Sequence, residues 1–454
     1  MSRSVYTLLI VESPVLANII QNLAPQSVYV MATSGYCWNP VYDENRNELK
    51  TKADPDKIEI RRELKEQSKW ASSVVIATDS DPSGDFIAWS VAKYLKKTVI
   101  QRGILQHLSK NGIIEMLDDV REIDISLLGA RLKNLFLIHS EWRKVKSLPS
   151  KELAGLASLF GTSGTFSHFL DDEDRLFKSS VPVLCDYDEW IPVKKSDETQ
   201  YKITEPLSTF DLLEDVVQKS LTPDYNEAQV QLQRLFQTVL PNSRESLISY
   251  PRTAANSFYG ETWENFKGQF IKESLHGDLK PLFLQESAAA DQPHESIYPL
   301  NLAVKPDVVS GETLKIMADL YEIIYTHTLS SIKIPVSLHY FFENNLKPDV
   351  YFYSVNEIVN PQEQRSLRPC LTVSDLGKML HQLGVAKPSN FGERMDEWIA
   401  RKWIAVNERV VTPLPKITRL GNRAADLKKK LTALKILENR IPLLPETVRQ
   451  VLSS

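Results

Sequence analysis

Two continuous apolar runs, each ending on an acid and each passing straight into a helical pattern, constrain this fold more than any other feature. VYTLLIV, residues 5 to 11, ends on Glu12, and SSVVIATD, residues 72 to 79, ends on Asp79. Unbroken runs rich in β-branched residues suit strands buried on both faces of a parallel sheet. Ser13-Pro14 then offers an N-cap and a proline at the first helical position ahead of VLANIIQNL. SDPSGD leads likewise into the amphipathic FIAWSVAKYLKK. Two carboxylate-bearing strand ends in one open α/β sheet face the crevice where such sheets bind ligands. The first 125 residues or so are therefore expected to form one α/β domain.

VYVMATS, residues 28 to 34, reads as a further strand, and the polar DENRNELKTKADPDK after it as a surface loop. From Ile125 the pattern turns helical, with Leu128, Leu132, Leu135 and Ile138 on one stripe. The Gly- and Ser-bearing segment AGLASLFGTSGTFSHF follows. Residues 181 to 222 alternate as short strands do, AQVQLQRLFQTVL is helical, and a second β-like passage lies between 334 and 355. A strand region interrupted by a helical insertion describes a chain that leaves a domain and returns to it. TVSDLGKMLHQLG and NFGERMDEWIARKWIAV resemble a winged-helix arrangement, and the tail from Lys416 to Arg440 is rich in Lys and Arg.

A chain of 454 residues is too long for one core, so two to four domains are expected. Its net charge of -4 excludes a protein that simply coats nucleic acid, because phosphate neutralisation supplies most of such affinity. Any positive charge used on DNA must be local. Cys37, Cys185 and Cys370 are too widely spaced for a metal knuckle, and an odd count is a poor basis for a disulfide framework. The short apolar run at the N-terminus, broken by Glu12 and Pro14, suits neither a signal peptide nor a spanning helix. A cytoplasmic protein with no membrane role is the expectation.

Asp79 and Asp81 lie at i and i+2 in ATDSDPSGD, a spacing that lets both reach one ion, with Asp85 able to join through water. Hard cations such as Mg²⁺ take one or two carboxylates plus substrate phosphate. A lone pair of this kind is more often a polar loop with a helix N-cap; coupling to Glu12 on a second strand end favours the metal. LISYPRT supplies Tyr250, held extended by Pro251. Its phenol can attack phosphorus while the donor fork of Arg252 stabilises charge on the phosphate. The bland alternative is a core aromatic beside a surface arginine. His294 is either a proton shuttle or phosphate contact, or the cap of a turn after Pro293. Lys387-Pro388-Ser389 either meets a DNA backbone or forms an exposed loop.

Taken together these segments resemble the type IA DNA topoisomerases across nearly the whole chain. LLIVESP and ATDSDPSGD with FIAW are similar to the two halves of that family's Toprim metal site. LISYPRT is similar to the active-site tyrosine motif, PHESIYP to His-Glu-Ala-Ile-Arg-Pro, and LGVAKPSNF to the Gly-Arg-Pro-Ser-Thr segment. The resemblance implies a multidomain protein with a Toprim α/β domain and a toroidal clamp. It would divide into residues 1–125 (domain I), 126–185 and 361–454 (domain IV), 186–222 and 328–360 (domain II, the β-rich hinge) and 223–327 (domain III, carrying the tyrosine). It further implies that Tyr250 forms a 5′-phosphotyrosyl bond to one strand of single-stranded or negatively supercoiled DNA. Arg252, Glu12 and His294 would join it in catalysis, with Mg²⁺ on Glu12, Asp79 and Asp81. Thr253, Glu295, Lys387 and Ser389 would contact DNA.

The departures are specific. Leu16 stands where the family carries a catalytic lysine, Asp81-Pro82-Ser83-Gly84-Asp85 replaces Asp-Arg-Glu-Gly-Glu, and Tyr298 replaces an arginine. No Ser-Ala-Gly-Arg-Val-Gln segment is present, although Gly155 to Thr165 sits where it belongs. The family's cysteine-rich zinc modules are also missing, as expected of a minimal core. Each lost cationic contact removes a charge-assisted hydrogen bond of roughly 1.5 to 3 kcal/mol. The expectation is an ATP-independent topoisomerase that is slow or dependent on a protein partner. The alternatives are a DNA-binding or scaffold paralogue, and a Toprim nuclease or primase, which would not need Tyr250.

Overall fold

The computed structural model describes residues 6–95, 99–161, 163–196, 201–202, 204–240, 245–272, 279, 283–285, 294–333, 336–337, 341–344, 347–355 and 364–454. Pro293 and parts of the β-like passage 334–355 lie outside the described residues.

The N-terminal run forms strand β1 (Thr7–Val11), followed by helix α1 (Pro14–Leu23) and strand β2 (Val28–Ala32). Ser13 caps α1 with its side chain, and Pro14 stands at the first helical position, as the sequence indicates. The polar stretch expected as a surface loop is instead a β-hairpin, β3 (Trp38–Asp43) with β4 (Glu48–Ala53). Its apolar signal is small because Trp38 and Leu49 supply most of its burial. Helix α2 (Ile58–Trp70), strand β5 (Ser73–Ile76), helix α3 (Pro82–Leu95), strand β6 (Ile100–Arg102), helix α4 (Lys110–Asp118) and strand β7 (Arg121–Glu122) complete the unit.

The resulting sheet has the order β2-β1-β5-β6-β7, parallel except for β7. Alternate residues face opposite layers, as the pleat demands. Leu9, Val11 and Val75 pack with Ala17, Ile20, Ile113 and Met116. Leu8, Ile10, Val74 and Ile76 pack with Leu64, Ile87 and Val91 on the other face. Strand β1 is flanked by β2 on one side and β5 on the other, so the order switches at their C-terminal ends. Open α/β sheets place their crevice at such a switch.

Helices α5 (Ile125–Lys144) and α6 (Lys151–Phe160) follow. Asn134 of α5 donates to the carbonyls of Glu438 (3.3 Å) and Arg440 (2.8 Å), tying this segment to the end of the chain. Strands β8 (Gly164–Leu170), β9 (Leu176–Cys185) and β10 (Ile191–Lys195) belong to an eight-stranded sheet. Its other strands return from much later: Phe341–Asn344, Lys347–Ser354, Gln364–Thr372, Ile404–Asn407 and Val410–Pro413. Chain departure and return, read from the sequence, is thus a property of this sheet.

Residues 209–218, expected among short strands, form helix α7 (Thr209–Gln218), started by a reciprocal Ser208/Asp211 capping box. Helix α8 (Tyr225–Phe236) and the helices Gly260–Lys272, Pro306–Glu312 and Lys315–Ile332 build the inserted unit. Helices Val373–Gln382 and Phe391–Ala400 with the hairpin Ile404–Pro413 give the winged-helix arrangement. A cavity of about 930 Å³ lies between the sheet, α7, helix Lys315–Ile332 and helix Val373–Gln382. Among the described residues no helix is long and apolar enough to cross a membrane.

Candidate active site

Glu12 follows β1, and its carbonyl accepts from the Ser34 N–H (2.8 Å), which pins the strand end. Asp81 begins α3, accepting from the N–H groups of Ser83 (2.9 Å) and Gly84 (2.8 Å). Its other carboxylate oxygen accepts from the Ser389 hydroxyl at 3.1 Å. Asp79 lies between them and forms an ion pair with Arg252, 173 residues away. Acid edge and tyrosine segment therefore meet.

The close approach within ATDSDPSGD depends on Gly84. A Cβ there would collide with the backbone carbonyl of Asp79. Gly84→Ala is expected to destabilise the chain by roughly 2–3 kcal/mol, because backbone rather than a flexible side chain must yield. Denaturant unfolding checks this; a change below about 0.5 kcal/mol would show that the turn gives way freely.

Tyr250 is half-buried. Its ring stacks on His294 (centroids 4.1 Å apart, planes 30°) and meets Phe236 edge-on at 5.7 Å. The tyrosine and His-Glu segments run side by side: Ser249 N–H donates to the Tyr298 carbonyl (2.9 Å) and the Ser249 hydroxyl to the Ser296 carbonyl (3.0 Å). Thr209 of α7 donates its hydroxyl to the Pro251 carbonyl (2.7 Å), fixing the far side of the turn.

Burial and the neighbouring Asp79 carboxylate push the Tyr250 pKa well above its usual value, with Arg252 opposing. The phenol is protonated at neutral pH. Glu12 is pushed up to about 7, by burial first and then by Asp79 and Asp81. It therefore holds a proton about half of the time near neutrality. Burial, with Arg102 and His107 nearby, lowers His294 to about 3. His294 is a neutral ring, not an imidazolium; its Nδ1 pairs with Gln106 (2.9 Å) and its buried Nε2 has no partner among the described residues.

Thr253 and Glu295, expected at DNA, are turned inward. Thr253 is 4% exposed, and its hydroxyl accepts from the Ala255 N–H at 3.0 Å. Glu295 is 5% exposed and accepts from the hydroxyls of Thr262 and Tyr298, both at 2.8 Å. Each organises the loop and offers DNA no surface in this arrangement. Lys387, half-buried, faces the acid edge: burial lowers its pKa, and Asp81 opposes the shift. Leu16 packs against the apolar core below α1, so no cation stands there.

The fit of a divalent ion is poor. Among the described residues no three acids, histidines or cysteines converge in a metal-holding group. Asp79 is engaged by Arg252, and Asp81 by the helix start and Ser389. Glu12, Asp79 and Asp81 are electrostatic neighbours but do not form an ion cage here.

Sequence reasoning passed over Arg102, at the end of β6. Its half-buried guanidinium donates to the carbonyls of Ile76 (3.1 Å), Thr78 (2.8 Å) and Asp79 (2.9 Å) and reaches Asp85 at 3.4 Å. It holds the turn that presents Asp79. The strand-end rule that singles out Glu12 and Asp79 applies equally to VIQR. Beside it, His107 meets the Tyr298 hydroxyl at 2.7 Å, linking the α/β unit to the inserted one.

Residues 7–110 match the Toprim domain, so the acid-edged sheet defines a Toprim-containing protein. The whole chain has the fold of a topoisomerase: the full-length structure of topoisomerase I from Thermotoga maritima matches with a TM-score of 0.64 and 16% identity, covering 98% of this chain and 89% of that one. Among curated relatives, DNA topoisomerase 1 of Helicobacter pylori is 25% identical over 382 residues, 71% of this chain and 51% of the relative. That of Campylobacter jejuni is 20% identical over 500 residues, covering 89% and 70%. The chain spans about half the length of the Helicobacter relative. A Toprim match on a topoisomerase I fold makes the chain similar to the type IA topoisomerases.

Proposed function

We propose that this protein cleaves one DNA strand through Tyr250, lets another strand pass and reseals the break without ATP. The observation that carries this reading is the meeting of Tyr250, Arg252 and the acids Glu12 and Asp79 across two units of the fold. The phenol oxygen bonds to phosphorus as the bond to the 3′-oxygen breaks. The leaving oxygen takes a proton and the strand is left with a free 3′-OH. One ester replaces another, so resealing needs no external energy.

The roles of the side chains follow from their states. Arg252 exchanges Asp79 for the phosphate, where its forked donors meet developing negative charge. Releasing Asp79 leaves its carboxylate to accept the phenolic proton. Glu12, poised near neutrality, passes a proton to and from the 3′-oxygen. His294, whose Nδ1–H donates to the Gln106 oxygen, keeps a neutral Nε2 acceptor beside the tyrosine, and Lys387 with Ser389 offers contacts to the flanking backbone. Mg²⁺ on Glu12, Asp79 and Asp81 would require Arg252 to have left Asp79, and no step above runs through it. The four-part division of the chain is part of the same reading, with its β-rich part drawing on 164–195 as well as 341–372.

End-labelled single-stranded oligonucleotides test it. A denaturant-stable adduct is expected to retain a 3′-end label and to release a 5′-end label. Absence of any adduct on unpaired DNA, or the opposite polarity, sinks the proposal.

A second reading, a paralogue that keeps the clamp as a DNA-binding or scaffold subunit with a partner protein, is favoured by Leu16, which puts an aliphatic side chain where the family has a lysine. Its basic surface would be Lys428 and Lys429. Lys430 is buried and paired with Asp426 (2.7 Å), so it does not contribute.

A further inference from the structure

A groove of about 300 Å³ runs between α8 and the Pro251-Arg252 turn, on the flank of the tyrosine segment. Its polar walls are Asn226, Gln229, Gln233, Arg234, Gln237 and Arg252, and its apolar floor includes Leu232 and Pro251. Positions 229, 233 and 237 are successive i,i+4 neighbours, so three amides stand in one row along the helix.

Gln229 braces the groove rather than filling it. Its amide nitrogen donates to the Ser389 carbonyl, and its oxygen accepts from the Gly392 N–H at 2.7 Å. The next amide differs. Among the described residues the Gln233 side-chain oxygen is buried without a hydrogen-bond partner, an arrangement that leaves a desolvated acceptor unsatisfied. Among the described residues, the side chains of Asn226, Arg234 and Gln237 enter no hydrogen bond or ion pair, although the Asn226 backbone N–H donates to Asp396 (2.8 Å). Donors and acceptors are therefore held ready beside the arginine that would take the phosphate.

We propose that this groove is a base-reading subsite for the nucleotide that flanks the phosphate attacked by Tyr250. The inference rests on the function proposed above and adds sequence selectivity to it. Amides along a wall suit a nucleobase better than a phosphate, because each carries a donor and an acceptor side by side. Adenine presents the matching pair, and glutamine and asparagine read it with two hydrogen bonds. The groove holds no aromatic ring to serve as a stacking platform, so the edge of the base is read and the Arg234 plane at the mouth is left to cover its face. The volume lies at the lower end for a ligand site, enough for one base and not for a duplex.

The test measures binding and cleavage separately on the full chain. Fluorescence anisotropy is run with oligothymidylates carrying a single adenine, guanine or cytosine at successive positions. Wild-type protein is expected to favour adenine at one position by about fivefold or more. The pair Gln233→Leu with Gln237→Leu should bring that ratio within about twofold, whereas Arg234→Ala should weaken binding to all of the oligonucleotides by a similar factor. Gln237→Leu alone, at a helix end, guards against a folding artefact and should reduce the ratio by itself. Equal wild-type binding to all bases, or a preference that survives the double substitution, overturns the subsite. Base-selective binding without an adduct would count against cleavage and leave the subsite standing. An adduct formed without base preference would do the reverse.

Discussion

Tyr250→Phe is expected to reduce formation of the covalent DNA adduct by on the order of 10⁴-fold or more, below detection on either unpaired or negatively supercoiled DNA. The reason is chemical rather than structural. The phenylalanine ring keeps the stack on His294 and the edge contact with Phe236, both of which involve ring atoms alone. What disappears is the hydroxyl beside the Asp79 carboxylate. Since Asp79 keeps its pairing with Arg252, the stability change should stay within about 1 kcal/mol. The measurement is a denaturing gel of protein mixed with labelled DNA, beside a denaturant melt of both proteins. An adduct that persists in the variant would remove Tyr250 from the chemistry. A scaffold subunit would show a third pattern: no adduct from either protein, biological activity intact in Tyr250→Phe, and activity lost on reversing the charge of Lys428 and Lys429.

The second large effect is expected far from the tyrosine, in the eight-stranded sheet. Asp171, in the turn between β8 and β9, is 3% exposed, and Arg365 opposite it is 2% exposed, with 2.6 Å between their charged atoms. The Arg365 guanidinium lies 5.7 Å from the Phe177 ring and 5.4 Å from the Phe342 ring. Asp171→Ala would leave that cation buried among aromatic rings with its carboxylate gone, which costs about 3–5 kcal/mol. Hydrogen exchange should show strands 164–170, 176–185 and 364–372 losing protection first. A loss under about 1 kcal/mol would mean that Arg365 finds water or another acceptor.

Asp171 also predicts an acid dependence. Burial by itself would raise the Asp171 carboxyl, but the Arg175 N–H and guanidinium outweigh it, and the pKa is held below 3.8. A carboxyl depressed on folding stabilises the fold fully above its unfolded pKa of about 4 and loses that contribution as the pH falls through the folded value. Wild type and Asp171→Ala should therefore differ most above about pH 5 and draw together in acid. Asp171→Asn, which keeps the shape and drops the charge, should fall between them.

Some of this architecture is visible in the sequence because its physical causes are local. A strand buried on both faces must be apolar throughout, so LLIV and VVI announce themselves, as do Ser13-Pro14 at the start of α1. The β3–β4 hairpin is hidden because polar and charged residues fill most of its positions and the side chains that hold it, such as Leu49, pack on elements distant in sequence. Helix α7 is hidden for another reason. Ten residues are too few for its period to stand out among flanking strands, and its start is set by a Ser208/Asp211 exchange that also reaches Ser374 and Lys378, more than 160 residues on.

Composition and order of residues by themselves determined the chemical inventory: a phenol at 250, a guanidinium at 252, acids at 12, 79 and 81, and a local pattern that puts two of those acids at strand ends. The state of each group was decided by the tertiary structure. Asp79 is tied to Arg252, His294 is a neutral ring, Glu12 sits near neutrality, and Thr253 and Glu295 are buried in hydrogen bonds of their own loop. Charge state and hydrogen-bond pairing follow from distance and desolvation, and both depend largely on residues that folding brings together from separate parts of the chain.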